Sequence, residues 1–268
     1  MMSGRKSHLL AALYGSTRPI SSGVAGLLSF AAVGLRGGLL KQAVLAGLAM
    51  CLVTMFGFVL NDVLDYDKDV AAGVLRPISA GELSRRAALA FGSFLLVSAC
   101  FIAWVIGPGA PLLLLTAVAL IAYTPLARRI PLLKGVYVAA LCLTPLAYGA
   151  VISRVRVPGV AYAVDATFVW GREILMDADE MAGDQLAGMR TVAVIMGAYF
   201  ARRLAIFLMV VSLTCLIVVA RGPLGTTAAA FSVGSLVCIL AWPAVRESTR
   251  VGLTRISMLA AALALASS

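Results

Sequence analysis

Apolar runs of about 17 to 23 residues recur along the whole chain, each long enough to cross a hydrocarbon core about 30 Å thick as a helix. Charged or Pro/Gly-marked breaks separate nine of them. The first opens at Thr17-Arg18-Pro19 and reaches Leu35, and the second ends at Leu60. The third covers Ala87 to Ile106, and the fourth closes near Tyr123. The fifth covers Gly135 to Ile152 and the sixth Val160 to Met176. The last three are Arg203 to Ala220, Leu224 to Val245 and Val251 to Ala266. With 62% hydrophobic and 13% charged residues, the chain cannot be an ordinary soluble domain. It reads as an integral membrane protein. Arg5 and Lys6 precede a short, interrupted segment without a small-residue cleavage pattern, so the N-terminus is expected to be retained.

The net charge of +10 does not point to nucleic acid, because the basic residues are scattered through short loops. Nine spans place alternate loops on opposite sides. Seventeen of the 22 basic residues then fall on one side, which the positive-inside rule makes cytoplasmic. Every carboxylate except Asp165 falls there too. The five cysteines lie within apolar runs without metal-ligand spacing and read as small buried hydrophobes.

Asn61-Asp62-Val63-Leu64-Asp65-Tyr66-Asp67-Lys68-Asp69 puts four carboxylates directly after an apolar run. On a helix, Asp62, Asp65 and Asp69 share roughly a 60° arc. Oxygen-only ligands at the watery end of a span suit Mg²⁺, which keeps waters and takes further ligands from substrate phosphates. A solvated acidic helix cap accounts equally well for this stretch alone.

A second set removes that balance. Asp177, Glu180 and Asp184 repeat the spacing, and Gly188 with Arg190 echoes Gly73 with Arg76. Two acidic faces, each trailed by an arginine, read as two halves of one site. Facing each other, they would repel unless cations lay between them. Mg²⁺ there would hold a diphosphate and neutralise the charge that develops as its C–O bond breaks. Arg76, Arg190 and the Arg128/Arg129 pair would contact the same oxygens.

These residues resemble the two signature motifs of the UbiA superfamily of intramembrane prenyltransferases. The likeness also includes Thr17-Arg18-Pro19 and a Tyr123-centred motif. The resemblance implies an all-α polytopic membrane protein, a nine-transmembrane-helix bundle, as a single domain over residues 1–268. It implies Mg²⁺-dependent binding of an isoprenyl diphosphate and transfer of the prenyl group to a hydrophobic acceptor, aromatic or lipid-like, in a cavity open to the lipid bilayer. It puts Asn61, Asp62, Asp65 and Asp69 at one metal and Asp177, Glu180 and Asp184 at the other, with Asp62, Asp65, Asp177 and Asp184 carrying catalysis. Arg18, Arg76, Tyr123 and Arg128 fall near the diphosphate, where Arg190 is added by its place in the repeat. Three positions depart from the family pattern. Glu180 replaces a more usual Asp, Ala127 stands four residues after Tyr123 in place of a lysine, and Lys134-Gly135 replaces small polar residues.

The same metal chemistry without an acceptor would make a terpene cyclase of the same superfamily. A cation-coupled transporter is a third reading, but it expects ionisable residues near the midplane. Here ten carboxylates cluster in the two cytoplasmic stretches or their flanks, and Asp165 is the outlier in a span's interior, with a place in the acceptor pocket as one reading of it. His8 is read as a surface residue. Phe56, Phe58, Tyr66, Tyr137, Tyr148 and Trp170 are read mainly as packing, with cation–π stabilisation of a carbocation as the functional alternative.

Overall fold

Runs too apolar for water and long enough for a bilayer become helices, because only internal hydrogen bonding satisfies the backbone in lipid. The computed structural model describes residues 2–34, 37–71, 73–186, 188–220 and short stretches between 225 and 234. The side chains of residues 2–7, Arg128, Pro131 and Val219 are outside this description. All the regular structure described is helical: α1 (Met2–Ser16), α2 (Pro19–Gly34), α3 (Leu40–Leu64), α4 (Tyr66–Ala71), α5 (Arg85–Ile106), α6 (Ala110–Arg129), α7 (Lys134–Ser153), α8 (Gly159–Asp179), α9 (Met181–Leu186), α10 (Val192–Met196) and α11 (Ala198–Val219). A single 3-10 turn at Pro131–Leu133 joins α6 to α7.

Among the described residues, α3, α5, α6, α7 and α11 are long and apolar enough to cross a membrane. Helix α2 is shorter, at 16 residues, and α8 carries Asp165, Arg172, Glu173, Asp177 and Asp179 along its length. The eighth and ninth expected runs lie outside the described residues, apart from short pieces near the start of the eighth.

Packing builds two neighbouring sets. Helix α3 lies against α2 and α5, α8 lies against α11, and α7 joins the sets through α2 and α8. Where α2 crosses α3, Gly26 and Gly47 face each other. A Cβ on Gly26 would stand 2.8 Å from the Gly47 carbonyl oxygen, and one on Gly47 would stand 2.9 Å from that of Gly26. Small residues that let backbones touch are how helices associate where lipid supplies no hydrophobic drive. In α7, Pro145 cannot donate to the Leu141 carbonyl, and the Thr144 hydroxyl donates to it instead at 2.7 Å. Helix α7 is also tied to α2 by the Ser29 hydroxyl, which donates to the Pro145 carbonyl at 2.8 Å.

Candidate active site

The two acidic stretches fold alike, and neither is one continuous helix. Helix α3 stops at Leu64, and Asp65 (φ −86°, ψ 5°) joins it to α4. Helix α8 stops at Asp179, and Glu180 (φ −92°, ψ 5°) joins it to α9. The middle acid of each triad is thus the joint. Bonds four residues apart still cross it, from the Asp69 amide to the Asp65 carbonyl and from the Asp184 amide to the Glu180 carbonyl. The acids therefore keep the neighbourhood that a single helix would have given them.

Both short helices end the same way. Gly73 and Gly188 each sit at φ +67°, a left-handed conformation that glycine adopts without steric cost. The Val74 amide bonds to the Asp69 carbonyl and the Gly73 amide to the Val70 carbonyl. In the second copy, Met189 bonds to Asp184 and Gly188 to Gln185. This is a Schellman termination used twice, 115 positions apart. Burial repeats as well. Asp62 and Asp69 are 3% and 4% exposed, and Asp177 and Asp184 are 4% and 2% exposed.

The cations do not repeat. Arg18 Nη2 and Arg76 Nη1 both donate to Asp62 Oδ1, at 2.9 and 3.0 Å, and Arg76 Nη1 also lies 3.0 Å from Asp69 Oδ2. Arg18 reaches this position from a backbone at φ +46°, which is strained for a side chain before proline, and its guanidinium also stacks on the Phe58 ring at 4.7 Å. In the second copy Thr191 holds the place of Arg76 and caps α10 instead, accepting from the Val194 amide. Arg190 is exposed and is not on the wall of the cavity described below. Asp177 takes its cation from elsewhere, since Lys134, first residue of α7, donates to it at 2.7 Å. In the sequence Lys134 stands out only as a departure from the family pattern. Its partner lies 43 residues on, and nothing local announces the pairing.

Lys68 links the two copies. Its ammonium lies 4.0 Å from Asp184 and 3.6 Å from the Met189 sulfur. Arg172 pairs with Glu173 at 2.8 Å, and the Thr124 hydroxyl donates to the Asn61 side-chain oxygen at 2.8 Å. These cations, with Asn61, Thr124, Glu173 and Met189, border one cavity of about 360 Å³, whereas the buried Asp62, Asp69, Asp177 and Asp184 are not on its wall. Its mouth carries Arg18, Asn61, Asp65, Lys68, Arg76, Tyr123, Lys134, Arg172, Glu173 and Glu180, and its apolar wall includes Leu28, Leu120, Val138 and Leu141. The Arg128 side chain lies outside the described residues.

Charge and burial conflict here. Burial raises the Asp69 carboxyl against the pull of Arg76, and burial pushes Asp177 up to about 6 against the pull of Lys134. Asp184 Oδ2 is buried and accepts no hydrogen bond among the described residues, and Asp69 Oδ2, also buried, has Arg76 Nη1 at 3.0 Å without hydrogen-bond geometry. Both belong to the third acid of their copy. Among the described residues no three ligating side chains converge tightly enough to enclose an ion by themselves. The donor set nonetheless fits Mg²⁺. It is all oxygen, the buried Asp184 Oδ2 lacks a donor among the described residues, and this ion normally completes its shell with water and substrate phosphates rather than a closed protein cage.

A family model described as the UbiA prenyltransferase family matches residues 20–265. The chain belongs to the UbiA prenyltransferase family. As a UbiA member it is a prenyltransferase and a multi-pass integral membrane protein. It is 31% identical over 201 residues to the digeranylgeranylglyceryl phosphate synthase of Haloquadratum walsbyi, covering 72% of this chain and 70% of that one. To the synthase of the same name from Thermococcus kodakarensis it is 31% identical over 208 residues, covering 73% and 74%. Its fold matches a UbiA homolog from Archaeoglobus fulgidus bound to GPP and Mg²⁺, with a TM-score of 0.73, 19% identity, and 96% and 100% of the two chains covered. The apo UbiA homolog from Aeropyrum pernix K1 matches with a TM-score of 0.75 at 18% identity, covering 91% and 95%.

Proposed function

We propose that this UbiA member transfers a prenyl group from an isoprenyl diphosphate to a lipid-like alcohol of the glycerol phosphate class, with Mg²⁺ between its two acidic motifs. The observation that carries the reading is the shared mouth. Asp65 and Glu180, the joints of the two motifs, border one cavity, and Lys68 of the first copy reaches Asp184 of the second. The acceptor class rests on the names of the archaeal relatives and on the five cations, Arg18, Lys68, Arg76, Lys134 and Arg172, that border the cavity and suit a second phosphate. The excess of basic residues at the acidic end supports a cytoplasmic mouth.

In this reading the C–O bond at the first prenyl carbon breaks, and diphosphate leaves with the electron pair. An acceptor oxygen bonds to that carbon and gives up its proton. Asn61, Asp62, Asp65 and Asp69 would hold one ion, and Asp177, Glu180 and Asp184 would hold the other. Bound Mg²⁺ supplies charge neutralisation of the departing diphosphate. Arg18, Arg76, Lys68 and Lys134 then turn from the carboxylates to the phosphate oxygens, for which the planar arginine fork is well shaped. Tyr123 stands on the wall beside them. Leu28, Leu120, Val138 and Leu141 keep water from the electron-poor carbon.

The test is product mass spectrometry with purified protein in lipid, Mg²⁺, an isoprenyl diphosphate and a panel of acceptors. A prenylated glycerol phosphate lipid is expected. A cyclic hydrocarbon formed from the diphosphate alone would replace transfer by cyclisation, and a prenylated phenol would replace the acceptor class.

A further inference from the structure

The cavity does not end in hydrocarbon alone. Far from the mouth its wall includes Asp165 of α8 and Thr144 of α7 beside Leu28 and Pro145, with Thr116 of α6 nearer the mouth. Asp165 precedes Asp177 by 12 residues on one helix, which puts it about 18 Å beneath the acidic mouth at 1.5 Å per residue. Thr144 is 10 residues into α7 from Lys134, about 15 Å down by the same rule. Asp165 and Thr144, on two different helices, thus lie at nearly one depth, while Thr116, 7 residues from Tyr123 on α6, lies about 10 Å below the mouth. Both threonine hydroxyls spend their protons on their own helices, Thr116 on the Leu112 carbonyl and Thr144 on the Leu141 carbonyl, each leaving an oxygen that only accepts. Among the described residues, none donates a hydrogen bond to Asp165 or pairs with it as a cation. Arg172, on the same stripe of α8 about 10 Å nearer the mouth, is engaged by Glu173.

We propose that Asp165, with Thr144 at nearly its depth, is a polar floor that limits the length of prenyl chain the cavity accepts. The proposal rests on the reading of the mouth as the diphosphate site, since that fixes which end of the substrate points downward. A chain ending above the floor leaves Asp165 its water. A longer chain must strip that water and offers no hydrogen bond in return, and burying a polar group under hydrocarbon without a partner is costly. The floor therefore discriminates by length without touching the reacting carbon, which makes Asp165 a specificity determinant and not a catalytic residue.

The test uses protein in lipid nanodiscs with the non-reactive thiolodiphosphate analogues of geranyl, farnesyl and geranylgeranyl diphosphate in the presence of Mg²⁺. Affinities are read by calorimetry, and turnover of the parent diphosphates is read beside them. Asp165→Leu is expected to raise the affinity for the geranylgeranyl analogue relative to the geranyl analogue by roughly tenfold. Asp165→Asn, which keeps shape and polarity, should leave that ratio within about threefold and so controls for folding. An unchanged ratio in Asp165→Leu would overturn the proposal. It would send the chain sideways instead, past Thr116, Leu141 and Thr144, which also border an outer groove of about 200 Å³ between α6 and α7. Loss of turnover with every chain length in Asp165→Asn, at unchanged analogue affinity, would also overturn it by making Asp165 part of the chemistry. Length-dependent binding without turnover would sink only the transferase reading, and no binding by the unsubstituted protein would sink both.

Discussion

Asp177 is where burial and charge are most finely opposed. Its carboxyl is pushed up to about 6 by burial, and Lys134 at 2.7 Å keeps it from going higher. In the metal-free protein the folded form holds this proton more tightly than the unfolded chain, so its contribution to stability falls as pH rises from about 4 toward 6. Metal binding runs the other way, because only the carboxylate ligates. The apparent Mg²⁺ affinity should therefore fall below pH about 6, measured as the metal dependence of diphosphate release across pH. Lys134→Met removes the opposing pull, and the acid limb should move to higher pH. A limb that stayed in place would show that Lys134 does not govern Asp177. Asp62→Asn and Asp177→Asn should each lower turnover by at least about a hundredfold, while circular dichroism and membrane insertion stay unchanged. Full activity in either would remove it from the ligand set. Asp62, Asp65, Asp69, Asp177, Glu180 and Asp184 could be picked out from spacing alone. Lys134 could not, because a lysine at the start of a span looks like any positive-inside anchor.

At the scale of elements, the repeat is more faithful in backbone than in side chain. The joint at the middle acid, the left-handed glycine and the paired termination bonds recur, whereas Asn61 becomes Met176 and Arg76 becomes Thr191. Spacing in the sequence anticipated the shared face of each triad. It did not anticipate that both helices break at the middle acid, because the i to i−4 pattern continues through the break. The α2–α3 crossing sets where Arg18 stands relative to Asp62, since Arg18 immediately precedes α2 and Asp62 is near the end of α3. Gly47→Val drives a side chain against the Gly26 carbonyl and Phe30. Overpacking of this kind costs about 1 to 3 kcal/mol, and the thermal midpoint in detergent should drop accordingly. Turnover should fall as well, as α2 carries Arg18 away. A variant with unchanged midpoint and activity would mean that the crossing does not position the site.

Across the whole molecule, each buried first-position acid already has a protein cation: Asp62 has two arginines and Asp177 has Lys134. The fold therefore does not depend on Mg²⁺ for its charge balance. Chelation should abolish prenyl transfer reversibly while leaving helicity and the thermal midpoint of the substrate-free protein nearly unchanged. A large drop in midpoint on chelation would show that metal, and not Arg18, Arg76 and Lys134, holds the two halves together. The sequence by itself determined the helices, their membrane setting and the two acidic triads, because span length, positive-inside bias and helical spacing are local properties written in consecutive residues. Only the tertiary structure decided that Lys68 bridges the copies, that Lys134 and not Arg190 attends Asp177, and that Asp165 borders the same cavity as Thr116 and Thr144. Those relations join residues on different helices, and helix crossings are fixed by close packing at positions such as Gly26 and Gly47 rather than by any periodicity along the chain.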